Sequence, residues 1–129
     1  MPAIPDSHLD LATSPMTAML ATVGADGTPQ VTAVWFVLDG DVVTMSLTTD
    51  RQKTKNMAAR PKATLFLLDP ANAFRTLEVR GDVTIEDDPE LAMFDKAIRS
   101  YGQDPATFPA PKENRVKVTI VPTRIVAQG

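Results

Sequence analysis

The sequence lacks cysteine and has only one histidine, His8, among its 129 residues. Without cysteine, the chain has no disulfide framework, no thiolate metal ligand and no cysteine nucleophile. With one histidine and no Gly-x-Ser-x-Gly pattern, a serine–histidine–acid triad has no support in the sequence. The glycine patterns of phosphate-binding loops, G-x-G-x-x-G and G-x-x-x-x-G-K, are also missing. The common nucleophilic and nucleotide-loop sites are therefore excluded.

Long apolar runs and an excess of positive charge are missing as well. No run approaches the roughly 18 apolar residues of a membrane helix, and the N-terminal segment has neither the basic nor the apolar region of a signal peptide. We therefore expect a cytoplasmic protein with no membrane association. The formal net charge of −3 argues against nucleic-acid binding, because such binding depends on many Lys and Arg contacts to phosphates.

Short β-strands dominate the pattern that remains. The 11 Pro and 6 Gly divide the chain into short segments, and apolar residues recur with a period of two in most of them. The pattern predicts six strands, at residues 16–24, 29–38, 41–49, 62–69, 76–86 and 115–126. It also predicts helices at 51–60 and 89–101, with Asp50 and Asp88 as their N-caps, and a further short helix near the N-terminus.

These elements indicate the fold class. The length and the 43% hydrophobic content are ordinary for one domain over residues 1–129. We predict a mostly β (α+β) fold, a six-stranded antiparallel split β-barrel with two or three short helices. Gly81 is expected at a bulge, and His8 on the surface. The acidic run 86–90 is interpreted as the first turn of a helix, so no metal site is predicted.

The second predicted strand is apolar on both faces over residues 33–38. A barrel strand with one solvated face alternates between apolar and polar residues, and this segment does not. We therefore expect its outer face to be covered by a partner subunit or a ligand.

Basic residues concentrate in one turn. Residues 1–50 contain no Lys or Arg, whereas 51–62 contain five of the 13 basic residues and no acid. At the start of a helix, cationic side chains, a hydroxyl and free backbone N–H groups can converge on an anion such as a phosphate. The alternative is a solvated helical face that happens to be cationic. We call residues 51–56 the basic turn.

Two stretches resemble a known family: RQKTKNMAARPKATLFLLDP at 51–70 and RTLEVRGDVTIEDDPE at 75–90. With the order of strands, they are similar to the pyridoxamine phosphate oxidase-like split β-barrels, the flavin and deazaflavin oxidoreductases. The resemblance extends over residues 12–126. It implies a homodimer with the cofactor in a groove between subunits and its phosphate on the basic turn.

The resemblance also assigns residues to the cofactor. Lys53 matches the phosphate-binding lysine of the family, and the second strand lines the ring. The resemblance adds a contact on the third strand and the opening of the fifth. The cofactor-binding residues so implied are Thr32, Ala33, Val34, Trp35, Phe36, Ser46, Leu47, Arg51, Gln52, Lys53, Lys55, Asn56, Arg75 and Thr76. No catalytic residue is assigned, because the cofactor carries the chemistry.

Departures from the family pattern bear on the cofactor. Thr32 and Val37 stand where pyridoxamine phosphate oxidases carry Arg and Lys, and no substrate-binding Arg segment follows Val126. Vitamin B6 oxidation is therefore not expected. The run R-Q-K-T-K-N resembles deazaflavin-dependent reductases, which implies coenzyme F-420 as cofactor, with FMN as the alternative.

The expected function is transfer of a hydride from reduced F-420 to a small organic acceptor such as a quinone, an enone or a tetrapyrrole-like compound. Three alternatives stay open. They are an FMN-dependent oxidoreductase, a non-catalytic F-420- or flavin-binding protein, and a haem-binding split barrel. Only His8 offers an imidazole ligand for the last of these.

Overall fold

Seven β-strands form one antiparallel sheet in a computed structural model that describes residues 1–129. The strands are β1 (Ala18–Val23), β2 (Pro29–Val34), β3 (Val37–Asp39), β4 (Val42–Thr48), β5 (Lys62–Asp69), β6 (Asn72–Asp87) and β7 (Arg115–Gln128). Their order across the sheet is β2-β1-β5-β6-β7-β4-β3. The helices are α1 (Leu9–Thr13), α2 (Gln52–Ala59) and α3 (Ala92–Ser100), and a 3-10 turn (Asp6–His8) precedes α1. The antiparallel split barrel is confirmed.

The strand count is seven and not the predicted six, because the second predicted strand breaks in two. β2 pairs with β1 and β3 pairs with β4, so the two halves lie at opposite ends of the sheet order. Trp35 and Phe36 lie at the break. There the Tyr101 hydroxyl accepts a hydrogen bond from the Phe36 N–H (3.0 Å) and donates one to the Met16 carbonyl (2.6 Å). One phenol thus satisfies two backbone groups that no neighbouring strand pairs.

Gly81 lies at a β-bulge, as predicted. The register between β6 and β7 shifts between Arg80 and Gly81, where Gly81 faces Pro122. A Cβ atom on Gly81 would lie 2.2 Å from the Val121 carbonyl oxygen. The close approach of the two backbones therefore requires glycine, and it lets β6 and β7 run as long strands that extend past the predicted ends.

The helix α3 begins later than predicted. Leu91 precedes it in the left-handed conformation (φ 64°). Asp88 nevertheless stabilises the start of the helix, because its Oδ2 accepts hydrogen bonds from the N–H groups of Met93 and Phe94, both at 3.1 Å. Two of the free donors of the first turn are satisfied in this way.

Alternate side chains of the strands fill the interior of the curled sheet. Nineteen buried residues form one apolar cluster, which Leu11 and Ala12 of α1 and Met57 of α2 complete. The inward positions include Leu65, Leu77, Val79, Val118 and Ile120. None of the helices has the length and apolar composition that a membrane-spanning helix requires.

The predicted surface position of His8 is wrong. The residue is 4% exposed, and its Nε2 lies 2.8 Å from the Gln128 carbonyl oxygen. Ser7 Oγ lies 2.8 Å from the other ring nitrogen. Polar neighbours in the sequence suggest exposure, but the 3-10 turn places the ring against the end of β7.

Candidate functional site

A cleft of about 350 Å³ opens where β2, β4, α2, α3 and β7 approach one another. Its lining residues are Thr17, Ala33, Val34, Trp35, Ser46, Leu47, Arg51, Lys53, Phe94, Ala97, Ile98, Phe108 and Arg115. Of the residues assigned by resemblance, seven line it: Ala33, Val34, Trp35, Ser46, Leu47, Arg51 and Lys53. The end of the second predicted strand and the basic turn therefore meet at one place.

Lys53 is a buried cation with no acidic partner. The residue is 6% exposed, and its Nζ donates a 3.1 Å hydrogen bond to Thr32 Oγ1. Burial, and secondly the positive charge of Arg51, lower the pKa of Lys53. An ammonium removed from water without a carboxylate is costly. An anion in the cleft would offset that cost, so the arrangement favours anion binding.

Two arginines add to this charge. Arg51 and Arg115 line the same cleft and form no ion pair. Burial, and secondly the charge of Arg51, lower the pKa of Arg115. The predicted cap Asp50 does not cap α2, because its Oδ1 accepts the Thr48 hydroxyl at 2.5 Å and Arg51 takes the N-cap position. Asp50 and Asp88 act to raise the pKa of Arg115 against the effect of burial, but neither forms an ion pair with it.

Three aromatic side chains, Trp35, Phe94 and Phe108, line one side of the cleft, and Tyr101, which is outside the lining, stacks on Trp35. Trp35 stacks on Tyr101 with ring centroids 4.3 Å apart and an angle of 7°, and Phe108 lies 5.5 Å from Trp35. Phe94 meets Phe108 edge-on at 6.5 Å, and the Arg115 guanidinium lies 4.6 Å from the centre of the Phe94 ring. We call Trp35, Tyr101, Phe94 and Phe108 the aromatic wall. It gathers four of the seven aromatic residues of the chain.

Other residues of α2 hold the helix against the sheet. Asn56 is 1% exposed, and its Nδ2 donates to Thr22 Oγ1 at 3.1 Å and to Gln30 Oε1 at 3.3 Å. Gln52 Nε2 donates to Asn56 Oδ1 at 2.8 Å. Lys55 is exposed. None of Gln52, Lys55 and Asn56 lines the cleft.

The remaining assigned residues lie outside the cleft. Arg75 donates to both carboxylate oxygens of Asp10, to Asp69 at 3.0 Å and to the Ser7 carbonyl at 2.6 Å. These partners raise the pKa of Arg75 and attach the N-terminal segment to β5 and β6. Thr76 pairs with neighbours in the sheet. Phe36 is 3% exposed in the core, and Thr32 meets the cleft through its bond to the Lys53 ammonium.

Sequence reasoning missed the residues that α3 and β7 bring to the cleft. Arg115 opens β7 opposite Thr48, which ends β4. A basic residue at the start of a strand, directly after the Pro-rich segment 103–114, is the only local signal. Its position beside Arg51 depends on the pairing of β4 with β7, which alternation alone does not reveal.

An exposed apolar face covers the outside of β2, β1 and β5. The strand register places Ala33, Met19 and Phe66 side by side across these strands. Val31 is 61% exposed, and Leu68 is 47% exposed. We call these five residues the outer apolar face. Of the segment 33–38, which the sequence shows to be apolar on both faces, only Ala33 belongs to this face, and Ala33 also lines the cleft. Phe36 is buried and Trp35 stacks on Tyr101, so the chain itself packs against these two residues.

Comparisons with known proteins agree with this architecture. Residues 4–128 match the family described as pyridoxamine 5'-phosphate oxidase. A solved structure named F-420 reductase is 40% identical, with a TM-score of 0.86 over 95% of this chain and 98% of that one. A conserved hypothetical protein from Mycobacterium tuberculosis is 23% identical, with a TM-score of 0.78 over 98% of this chain and 85% of that one. HupZ from Group A Streptococcus is 22% identical, with a TM-score of 0.72 over 96% and 93% of the two chains. The latter two show the shared fold, and no curated protein matches the chain.

Proposed function

The chain belongs to the pyridoxamine 5'-phosphate oxidase family, and from that premise we propose that it is an oxidoreductase that uses coenzyme F-420. The substrate is an organic acceptor such as a quinone, an enone or a tetrapyrrole-like compound. When bound, reduced F-420 supplies a hydride, which with one proton from solvent converts a quinone into its hydroquinone.

The observation that carries the proposal is the buried, unpaired ammonium of Lys53. It faces the cleft beside Arg51, at the start of α2, where backbone N–H groups are free. A cofactor phosphate fits this donor set, since it brings negative charge to cations that have no carboxylate partner. Thr32 Oγ1 fixes the position of the Lys53 ammonium by its hydrogen bond.

The residues around the phosphate position suit a planar ring. Val34, Trp35 and Leu47 exclude water from the cleft beside Lys53. The lining contains no Asp, Glu or His, and Lys53 is assigned to the phosphate, so solvent protonates the reduced product. The role of the chain is to bind, to orient and to exclude water.

A homodimer is part of the proposal. The outer apolar face exposes large side chains in adjacent rows, as interfaces between subunits do. It extends to the mouth of the cleft through Ala33, so a second copy on this face would border the cofactor. Gln52, Lys55, Arg75 and Thr76 do not line the cleft of one protomer, so the proposal places their contacts with the cofactor at the dimer interface. Asn56 is buried, and its proposed role is to hold α2, and with it Lys53, against the sheet.

The preference for F-420 over FMN is supported by charge. Thr32 and Val37 are neutral where FMN-dependent oxidases of the family are basic. Arg51 has no acidic partner next to Lys53, and the acidic tail of F-420 adds negative charge that FMN lacks.

The test is separate titration of the purified protein with F-420 and with FMN, followed by the fluorescence of Trp35, the only tryptophan. We expect tighter binding of F-420, weakened by salt. Equal or tighter binding of FMN would overturn the assignment. Oxidation of reduced F-420 by a quinone then separates an enzyme from a protein that only binds the cofactor.

A further inference from the structure

We propose that Arg115 and the aromatic wall form the acceptor subsite of the cleft, and that this subsite takes a planar conjugated acceptor carrying a carboxylate. The inference rests on the proposed function, because it places the acceptor in the same cleft as the cofactor. It adds the chemical class of the acceptor and the residue that selects it.

The Arg115 guanidinium has N–H donors that form no hydrogen bond within the protein. Its Nε donates to the Pro111 carbonyl at 2.7 Å, and its Nη1 lies 3.5 Å from Ser46 Oγ. Its Nη2 has no hydrogen-bond partner in the protein, and no carboxylate lies within 4.0 Å of the group. An arginine held by its Nε presents a planar pair of terminal nitrogens, which matches the two oxygens of a carboxylate.

Different elements of the fold hold Arg115 and Lys53 in the cleft. Lys53 is held by Thr32 on β2, whereas Arg115 is held by β7 and lies over Phe94 of α3. A phosphate bound at Lys53 therefore leaves Arg115 for a second anionic group. Lys53, Arg51 and Arg115 bring three positive charges to the cleft and form no ion pair, so one bound anion leaves positive charge for a second.

The aromatic wall indicates the chemical class of the rest of the acceptor molecule. The rings run without interruption from Phe94, under the guanidinium, through Phe108 to Trp35. Ala97 and Ile98 of α3 add apolar lining beside them. Such a surface binds a flat ring by stacking, and it has no hydrogen-bonding groups for a neutral polar chain. A conjugated ring with a carboxylate on a short arm satisfies both parts.

The probes are 3-(1,4-dioxonaphthalen-2-yl)propanoic acid and its methyl ester, which share the ring and differ in charge. Quenching of Trp35 fluorescence measures the Kd of each in the full-length protein without cofactor. We expect the wild-type protein to bind the acid about tenfold to a hundredfold more tightly than the ester, as one charge-assisted contact predicts. Equal Kd values would overturn the proposal.

Variants of Arg115 and Arg124 test which residue causes the preference for the acid over the ester. In Arg115→Gln the acid and the ester should bind within about threefold of each other. Arg115→Lys keeps the charge and the packing stem, so part of the preference should survive even if the glutamine variant does not fold. Arg124→Gln is the matched control, since it removes the same charge from the same strand outside the cleft. An equal loss in Arg124→Gln would refute a local role for Arg115.

Two further measurements separate this inference from its premise. If Arg115→Gln weakens F-420 binding tenfold and leaves the acid preference intact, Arg115 serves carboxylates of the cofactor and the proposal fails. Turnover of reduced F-420 with 2-methyl-1,4-naphthoquinone tests the proposed function alone. Normal turnover without an acid preference refutes only the acceptor subsite, and an acid preference without turnover refutes only the proposed function.

Discussion

Replacing Lys53 with Met is expected to stabilise the protein and weaken cofactor binding at the same time. Lys53 is 6% exposed, and Thr32 is its only hydrogen-bond partner. In the cofactor-free protein the Lys53 ammonium is largely removed from solvent and forms no ion pair with a carboxylate, which destabilises the folded state. Met has a similar volume and flexibility, so it fills the space without the charge.

The two magnitudes follow from different interactions. One charge-assisted hydrogen bond to a phosphate is worth about 1.5 to 3 kcal/mol, so the Kd for F-420 should rise about tenfold to a hundredfold. The recovered desolvation free energy, less the lost bond to Thr32, should add about 1 kcal/mol to stability, a rise in Tm of about 4 °C. Turnover at saturating cofactor should change by less than about twofold, because the phosphate contact is the same in the ground and transition states.

Fluorescence titration with F-420 and thermal denaturation followed by circular dichroism measure the two effects. Lys62→Met is the control, since the Lys62 side chain is 79% exposed and paired with Asp82. It should change neither the Kd nor the Tm measurably. A Lys53→Met protein that melts at a lower temperature and binds F-420 like the wild type would refute the reasoning. The basic turn would then be the solvated cationic face that the sequence left open.

Three other outcomes are expected. Val31→Lys on the outer apolar face should give a monomer in sedimentation velocity at micromolar concentration, while Leu9→Lys on α1 keeps the dimer; a wild-type monomer contradicts the proposed interface. The Kd for F-420 should rise as the pH passes upward through the lowered pKa of Lys53, because only the ammonium form attracts phosphate. Lys53→Arg should show no such rise, and an unchanged profile in that variant excludes Lys53 as the cause. Gly81→Ala should lose about 2 to 4 kcal/mol in urea denaturation, since its Cβ would meet the Val121 carbonyl oxygen at 2.2 Å, and a loss below about 0.5 kcal/mol would show that the bulge relaxes.

Local patterns were enough to predict most of the strands. The segment 62–69 is β5 residue for residue, and the alternation of Leu77, Val79 and Val83 marks the buried side of β6. The alternation of apolar and polar residues indicates which side of a strand is buried, and this pattern is visible among near neighbours in the sequence. The bulge at Gly81 was predictable for the same reason, since glycine inside a strand indicates close backbone approach.

The features that sequence reasoning missed depend on distant partners. At the break after Val34, the Phe36 N–H donates its hydrogen bond to Tyr101, a residue 65 positions further along the chain. The burial of His8 depends on the Gln128 carbonyl, 120 positions away. The basic turn was predictable because its charges are adjacent in sequence, whereas Arg115 joins it only through the pairing of β4 with β7.

The break between β2 and β3 has a consequence for motion. The two edge strands of the sheet are consecutive in the chain, and only Trp35 and Phe36 separate them. No ladder of hydrogen bonds crosses this seam, so the cleft can widen by hinge bending at two residues while every strand pair stays intact. Such opening breaks the hydrogen bonds of Tyr101 and the packing of Trp35 and Phe36, but it breaks no strand ladder, so it costs less than global unfolding. The Phe36 amide should therefore exchange its hydrogen with solvent long before the amides of β6 and β7, and ligand entry needs no unfolding of the barrel.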